Sequence, residues 1–333
     1  MIEIRTIKAG KNDDGKRIDK FLSKTLYGMP QSLLYKMIRT KKIKLNGKRC
    51  EPGTLISEGD EVACYISDEF FCDVAKDEKS VFLQNKALDL KKSEIVYEDE
   101  NVILIDKPQG ELVHSGKSGT EPCLSDRLCG YLYKKGEYNP KEQNSFAPAL
   151  CNRLDRNTCG IVIAAKNASS LAIMNQKIKD RELHKKYLCT VYGVPEKKEA
   201  TLKDCLYKDK DNNKVYIFSS PDQAKKKLRI KYDDDIKTVI TKYKVLKKFE
   251  DKSLLEVELI TGRTHQIRAH LAYIGHPIVG DGKYGVNHKS KTGKQYQMLC
   301  SYYLKFDFKT DAGILGYLDK KEFKSGYNME NTK

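Results

Sequence analysis

The sequence predicts an α+β protein built in two parts, a small N-terminal module and a larger domain in which strands and helices mix. Within residues 15–66, apolar residues at helical spacing give way to an alternating, hairpin-forming stretch. Beyond residue 93, strand-like runs at 95–108, 161–166, 185–193 and 254–260 are interspersed with helix-like stretches at 124–132 and after 261. A length of 333 residues accommodates about two domains, and a hydrophobic fraction of 39% can supply a core for each.

In the module, Ile18, Phe21, Leu22 and Leu26 recur at helical spacing. Leu33, Leu34, Met37 and Ile38 repeat the pattern after a break at Gly28-Met29-Pro30. Residues 42–49 then alternate polar and apolar up to Asn46-Gly47, a dipeptide suited to a tight hairpin because both positions tolerate positive φ. A second turn at Glu58-Gly59-Asp60-Glu61 leads into a closing strand, Val62–Ile66. Lys36, Arg39, Lys41, Lys42, Lys44, Lys48 and Arg49 lie within fourteen positions, on a helix end and the adjoining hairpin. Most lysine runs are solvated faces, but cations so grouped can also fix register on a nucleic-acid backbone.

Three stretches of the module, Gly15-Lys16-Arg17-Ile18-Asp19-Lys20-Phe21-Leu22, Leu45-Asn46-Gly47-Lys48 and Ile56-Ser57-Glu58-Gly59-Asp60, resemble the S4 RNA-binding domain. The resemblance implies RNA contacts from Lys36, Arg39, Lys42, Lys44, Lys48 and Arg49. Gln31 stands where that family often carries an arginine.

The expected organisation is an S4-like domain at 1–67, a linker at 68–93, a second domain at 94–325 and a frayed tail at 326–333. The linker is weakly patterned apart from Val81-Phe82-Leu83. The second domain opens with two strands joined by an acidic turn and ended by Pro108. Residues 196–235, rich in lysine and aspartate, read as loops and short strands.

Composition narrows the class. No segment approaches the roughly 20 apolar residues of a membrane span, and the N-terminus lacks the apolar core of a signal peptide. The ten cysteines include no Cys-x-x-Cys pair, so reduced structural thiols in a cytoplasm are expected. Lys and Arg number 62 against 46 Asp and Glu, a formal charge of +16, which favours a polyanionic partner.

Asp155 lies between Arg153 and Arg156, just before the apolar run Ile161–Ala165. A carboxylate beside cations favours its charged form and suits a nucleophile or base; by default it is also how a structural ion pair looks. No second carboxylate occupies an equally marked context, which argues against a two-carboxylate glycosidase. Thr261-Gly262-Arg263-Thr264-His265-Gln266-Ile267-Arg268 crowds polar residues into a turn and the start of a helix. Arg268 follows Thr264 by one helical turn and can face the same cleft. His265, His270 and His276 lack the spacing of a zinc helix, and His270 and His276 read as packing or capping residues.

Arg153-Leu154-Asp155-Arg156-Asn157-Thr158-x-Gly160, Lys186-Tyr187 and Thr261–Leu271 together resemble the RluA-type family of pseudouridine synthases. Ile105-Asp106-Lys107-Pro108-x-Gly110 and Gly275-His276-Pro277-Ile278-x-Gly280-Asp281 extend the match over roughly residues 93–310. The resemblance implies a mixed, largely antiparallel central sheet flanked by helices. It also implies isomerisation of uridine to pseudouridine, with no cofactor and no metal.

In that family's pattern Asp155 matches the catalytic aspartate and Tyr187 the tyrosine that stacks on the target base. Arg268 matches the basic partner of the aspartate, and Arg153 the arginine that fills the space left by the flipped nucleotide. The expected substrate is a ribosomal RNA of the large, 23S-type class, with tRNA second, and the expected state is a monomer. A noncatalytic RNA-binding or assembly factor on the same fold is the alternative. Asn152 departs from the pattern, which usually has histidine there. An amide can donate and accept hydrogen bonds but does not titrate near neutrality, and activity is expected to survive.

Overall fold

Hydrogen-bonded strands in two separate sheets organise the computed structural model, which describes residues 4–26, 28–71, 81–85, 88–115, 121–229, 235–285 and 296–327. The first sheet has the order β1-β4-β2-β3, from β1 (Arg5–Lys8), β2 (Ile43–Leu45), β3 (Lys48–Arg49) and β4 (Glu61–Cys64). Asn46 and Gly47 join β2 to β3 with φ of 49° and 73°, the two positive values that this hairpin turn demands. Helices α1 (Ile18–Thr25) and α2 (Gln31–Arg39) cover the sheet. Ile18, Phe21, Leu22, Leu34 and Ile38 bury their apolar stripes against Ile43, Val62 and Cys64. Strand β1, which pairs antiparallel with β4, is an addition to the expected module.

The second sheet has eleven strands. They are β5 (Ile95–Glu98), β6 (Val102–Lys107), β7 (Ala149–Leu150), β8 (Cys159–Ala165), β9 (Leu183–Tyr192) and β10 (Glu199–Asp209). The rest are β11 (Lys214–Phe218), β12 (Ile236–Lys248), β13 (Lys252–Leu259), β14 (Leu299–Phe306) and β15 (Glu322–Lys324). The order is β11-β10-β12-β13-β9-β14-β8-β6-β5, with β15 on β14 and β7 on β8. Among the described residues, β14 with β8 is the only parallel pairing, so the sheet is mixed and largely antiparallel.

Both faces of β6 and β8 are covered, which explains their unbroken apolar runs. Ile103, Ile105 and Val162 face the cluster that holds Leu128 and Leu132 of α3 (Leu124–Lys134). Val102, Leu104, Ile161 and Ile163 face Met174 of α4 (Ala168–Lys179). Each such side chain, wholly removed from water, contributes about 1.5–3 kcal/mol.

Residues 196–235 hold more regular structure than expected. An eleven-residue strand, β10, runs into β11 and helix α5 (Pro221–Leu228). The strand was hidden because exposed Lys203 and Lys208 and the half-buried Asp204 stand among its apolar residues. Helix α6 (Gln266–Tyr273) follows β13 as expected, with Ile267 and Leu271 buried.

In the linker, Leu83, Leu88 and Leu90 are buried in the core beside α3, while 72–80 and 86–87 lie outside the described residues. Of the expected tail, Gly326 donates to Asp106 and the Tyr327 hydroxyl to Gln109, whereas 328–333 lie outside the described residues.

The module touches the larger domain through polar groups. The buried Asp13 carboxylate accepts from Asn144 Nδ2 (3.1 Å) and from the Ser145 hydroxyl. Lys16 Nζ donates to Ser145 Oγ (2.7 Å), and Asn12 Oδ1 accepts the N–H of Ala168 (3.0 Å) at the first residue of α4.

Candidate active site

Asp155 sits on the loop that enters β8. Gly160, at the start of that strand, has φ of 106°, and a Cβ there would stand 2.2 Å from the carbonyl oxygen of Ser301. Only glycine allows this approach, which lays the base of the Asp155 loop against β14. A second loop clamps the first. Gly110 N–H donates to Arg156 O (2.9 Å), and Arg156 Nε returns a bond to Gly110 O (2.9 Å). Lys107, fully buried, donates to the carbonyls of Pro108 (2.7 Å), Glu111 (2.9 Å) and Arg156 (3.0 Å). Burial pushes its ammonium down to about 8, and the three carbonyls satisfy its three donors.

The cation on Asp155 comes from far along the chain. Arg268 Nη1 donates to Asp155 Oδ2 at 2.8 Å across 113 positions of sequence. Among the described residues neither flanking arginine pairs with it: Arg156 bonds Gly110 and Glu121, and Arg153 is exposed on the cleft rim. The expectation that these neighbours hold the carboxylate is therefore corrected. The loop turns after Asp155, so adjacent side chains diverge.

Arg268 is itself held from behind. Its Nε and Nη2 donate to the two oxygens of Asp281 at 2.7 and 2.9 Å, a bidentate pair. Burial opposes both charges, yet the pairing keeps the guanidinium raised and holds the Asp281 carboxyl below its usual range. Tyr284 lies 5.2 Å from the guanidinium by its ring centre, and its hydroxyl accepts the N–H of Val215 (3.0 Å). The same hydroxyl is 2.8 Å from His265 Nδ1, and His265 Nε2 is 3.9 Å from Asp155 Oδ2. His265 has φ of 52°, a left-handed conformation uncommon outside glycine and typical of constrained sites. Desolvation pushes its imidazole down to about 4, so it is neutral at physiological pH.

Tyr187 forms the opposite wall. It is 7% exposed on β9, paired with Val257 and Ser301, and burial pushes its phenol up to about 12. Lys185, two residues earlier on the same face, also lines the cleft, and desolvation lowers it to about 8. The whole cleft encloses about 560 Å³, within the range of small-molecule sites. Asn152 also lines it, and its Oδ1 accepts the N–H of Ile163 within β8 at 2.7 Å, a bond that an amide makes without titrating.

Asp155, Arg153, Tyr187 and Arg268 thus share one cleft. His265, Asp281, Tyr284, Lys107 and Lys185 are functional candidates the sequence did not single out. Tyr284, three residues beyond the quoted Gly280-Asp281, was the available signal. His270 bonds Thr241 and Asp204, and His276 bonds the Tyr192 carbonyl, both packing roles. Among the described residues no group of three or more His, Cys, Asp or Glu is placed to hold a metal ion.

The six S4-like cations stand apart from this cleft in sequence and sheet. Lys36, Arg39, Lys42, Lys48 and Arg49 are exposed, and Lys44 lies 5.1 Å from the ring centre of Tyr65. Among the described residues none of the six forms an ion pair.

Comparison with known proteins shows the family to which the chain belongs. The family model for RNA pseudouridylate synthase matches residues 101–273, and that for the S4 domain matches 16–62. An uncharacterized RNA pseudouridine synthase of Mycoplasma capricolum is 32% identical over 93% of this chain and 94% of its own. The ribosomal large subunit pseudouridine synthase C of Buchnera aphidicola subsp. Baizongia pistaciae is 32% identical, covering 83% of this chain and 79% of its own. The protein of the same name in Escherichia coli is 28% identical over 85% and 80%. Among solved structures, human RNA pseudouridylate synthase domain containing 4 superposes with a TM-score of 0.50 at 24% identity, over 68% of this chain and 87% of that one. At that identity the likeness speaks for the fold.

Proposed function

Because the chain belongs to the RNA pseudouridylate synthase family and is an isomerase of uridine in RNA, we propose that Asp155 is its reacting carboxylate and large-subunit ribosomal RNA its substrate. The observation that carries the reading is the Asp155–Arg268 pair, 2.8 Å apart, facing Tyr187 across the cleft.

In the isomerisation the bond from ribose C1′ to uracil N1 breaks, a bond to C5 forms, and the C5 proton moves to N1. The product has the composition of the substrate, so no redox partner is required. A base paired in folded RNA hides both carbons, and extruding the nucleotide costs a few kcal/mol. Tyr187 offsets part of that cost by stacking on the uracil, worth about 1–3 kcal/mol. Arg153, on the rim, occupies the space the nucleotide leaves. Asp155 acts on the nucleotide as nucleophile or base, and the bond from Arg268 keeps it aimed. The raised Tyr187 phenol stays protonated at neutral pH and serves as a donor rather than a base.

The S4-like cations grip the RNA backbone outside the cleft. The ribosomal assignment draws on the names of the relatives in Buchnera and Escherichia. We place the enzyme in the cytoplasm as a monomer; free thiols at all nine described cysteines suit a reducing compartment. Mapping pseudouridine in total RNA with and without the gene tests the reading. Loss of one or a few large-subunit sites, restored by the wild-type gene but not by Asp155→Asn, is the expected result. Loss confined to tRNA overturns the substrate, and an unchanged map overturns the activity.

A further inference from the structure

We propose that Asp281 is a positioning residue whose one buried carboxylate sets both donors facing Asp155, the Arg268 guanidinium directly and the His265 imidazole through Tyr284. The proposal rests on Asp155 as the reacting group.

Four bonds converge on Asp281. Arg268 Nε and Nη2 occupy one side of the carboxylate. The N–H groups of Lys283 (2.9 Å) and Tyr284 (3.1 Å) donate to Oδ1 from the other. The side chain is wholly removed from solvent. A guanidinium bound at two nitrogens by a planar carboxylate has its plane fixed, so Nη1 is left pointing where Asp155 Oδ2 lies. Without Asp281, Arg268 would keep its charge but lose the fork that aims it.

The backbone bonds act on the second donor. By closing the turn 281–284, Asp281 places the Tyr284 ring against Arg268 and its hydroxyl between Val215 and His265. That hydroxyl already accepts from Val215 N–H, so its single proton is available for His265 Nδ1. A neutral imidazole that accepts at Nδ1 carries its own proton on Nε2. Nε2 is the nitrogen 3.9 Å from Asp155 Oδ2. Asp155 thus faces a fixed cationic donor and a fixed neutral donor, both traceable to Asp281. The second carboxylate that the sequence lacked is present, committed to aiming rather than to proton transfer.

The test uses the full chain and an unmodified large-subunit ribosomal RNA transcript carrying tritium at uracil C5, whose release follows the reaction. Asp281→Asn is expected to lower kcat about 100-fold while the RNA Kd stays within about threefold, since the residue does not reach the RNA. Combined with Arg268→Gln, it should lower kcat no further than the worse single change, because both act through one contact. Tyr284→Phe should lower kcat about tenfold with KM unchanged. A kcat for Asp281→Asn within threefold of wild type, or effects that multiply in the double variant, overturns the proposal; an unaffected Tyr284→Phe overturns the His265 branch. Should Asp281→Asn fail to fold, Arg268→Lys decides. An ammonium has no planar fork for the Asp281 carboxylate to orient, so Lys should be as inactive as Gln, and near-wild-type kcat with Lys sinks the idea. Asp155→Asn is the control: activity retained there removes the underlying reading, whereas an inactive Asp155→Asn beside an active Asp281→Asn removes only this one.

Discussion

In the function proposed above, the S4-like module and the cleft both hold RNA, in opposite ways. The module's cations come from fourteen consecutive positions on one helix end and one hairpin. They need only be exposed and unpaired, because a phosphate backbone is read by charge. In the cleft, Asp155, Tyr187, Arg268 and Asp281 come from four separate segments, and Arg268 meets Asp155 across 113 positions. Their geometry is set by bidentate bonds and a strand pairing that only glycine permits. A charged surface tolerates small displacements; an aimed carboxylate does not.

The largest effect is expected at Asp155. Asp155→Asn should lower turnover at least about 10³-fold, as loss of a reacting group does, with RNA binding unchanged in a filter or anisotropy assay. Comparable activity would place the chemistry elsewhere. Next, Tyr187→Ala removes the stacking face and should cost about 1–3 kcal/mol, a 5- to 150-fold loss in kcat/KM on structured RNA. The loss should shrink on a transcript whose target uridine is already unpaired.

The module should respond differently. Replacing Lys42, Lys48 and Arg49 with Ala should weaken RNA binding roughly tenfold near physiological salt. Each lost phosphate contact should flatten the log Kd against log salt slope by about 0.7–0.9. At saturating RNA, kcat should not change. A fall in kcat would mean that the module also shapes the cleft.

Lys185 gives the smallest and most pH-dependent effect. Its folded value of about 8 lies below the ordinary 10.5, so it is charged below pH 8 and neutral above. The unfolded chain still binds the proton between those values, so this group makes stability rise with pH across that window. A cation on the cleft wall favours phosphate only while charged. RNA affinity should therefore weaken about threefold as pH passes through 8, and Lys185→Met should abolish that step.

Elements with one dominant local signal were legible in the sequence. Asn46-Gly47 specified its hairpin, the apolar run at 161–165 specified a strand buried on both faces, and Gly275-His276-Pro277 ended helix α6 as expected. Strand β10 was harder to see, because exposed lysines and the half-buried Asp204 dilute its apolar alternation. Asp155, Tyr187 and Arg268 were legible through ordered motifs. The arginines beside Asp155 misled, since adjacency in sequence says little about side chains on a turning loop. His265 read as one more polar residue at a helix start, and nothing local reveals its left-handed φ or its bond to Tyr284.

The two-part α+β plan, the basic module, the family and Asp155 as the candidate reacting group were all readable from the sequence. These depend on periodicity, composition and short motifs, all written within a few consecutive residues. Only the folded chain shows which cation meets Asp155, which carboxylate lies behind that cation, and that the His265 imidazole stands beside both. Those depend on directional bonds between segments far apart in the chain, and direction exists only once the sheet has brought the segments together.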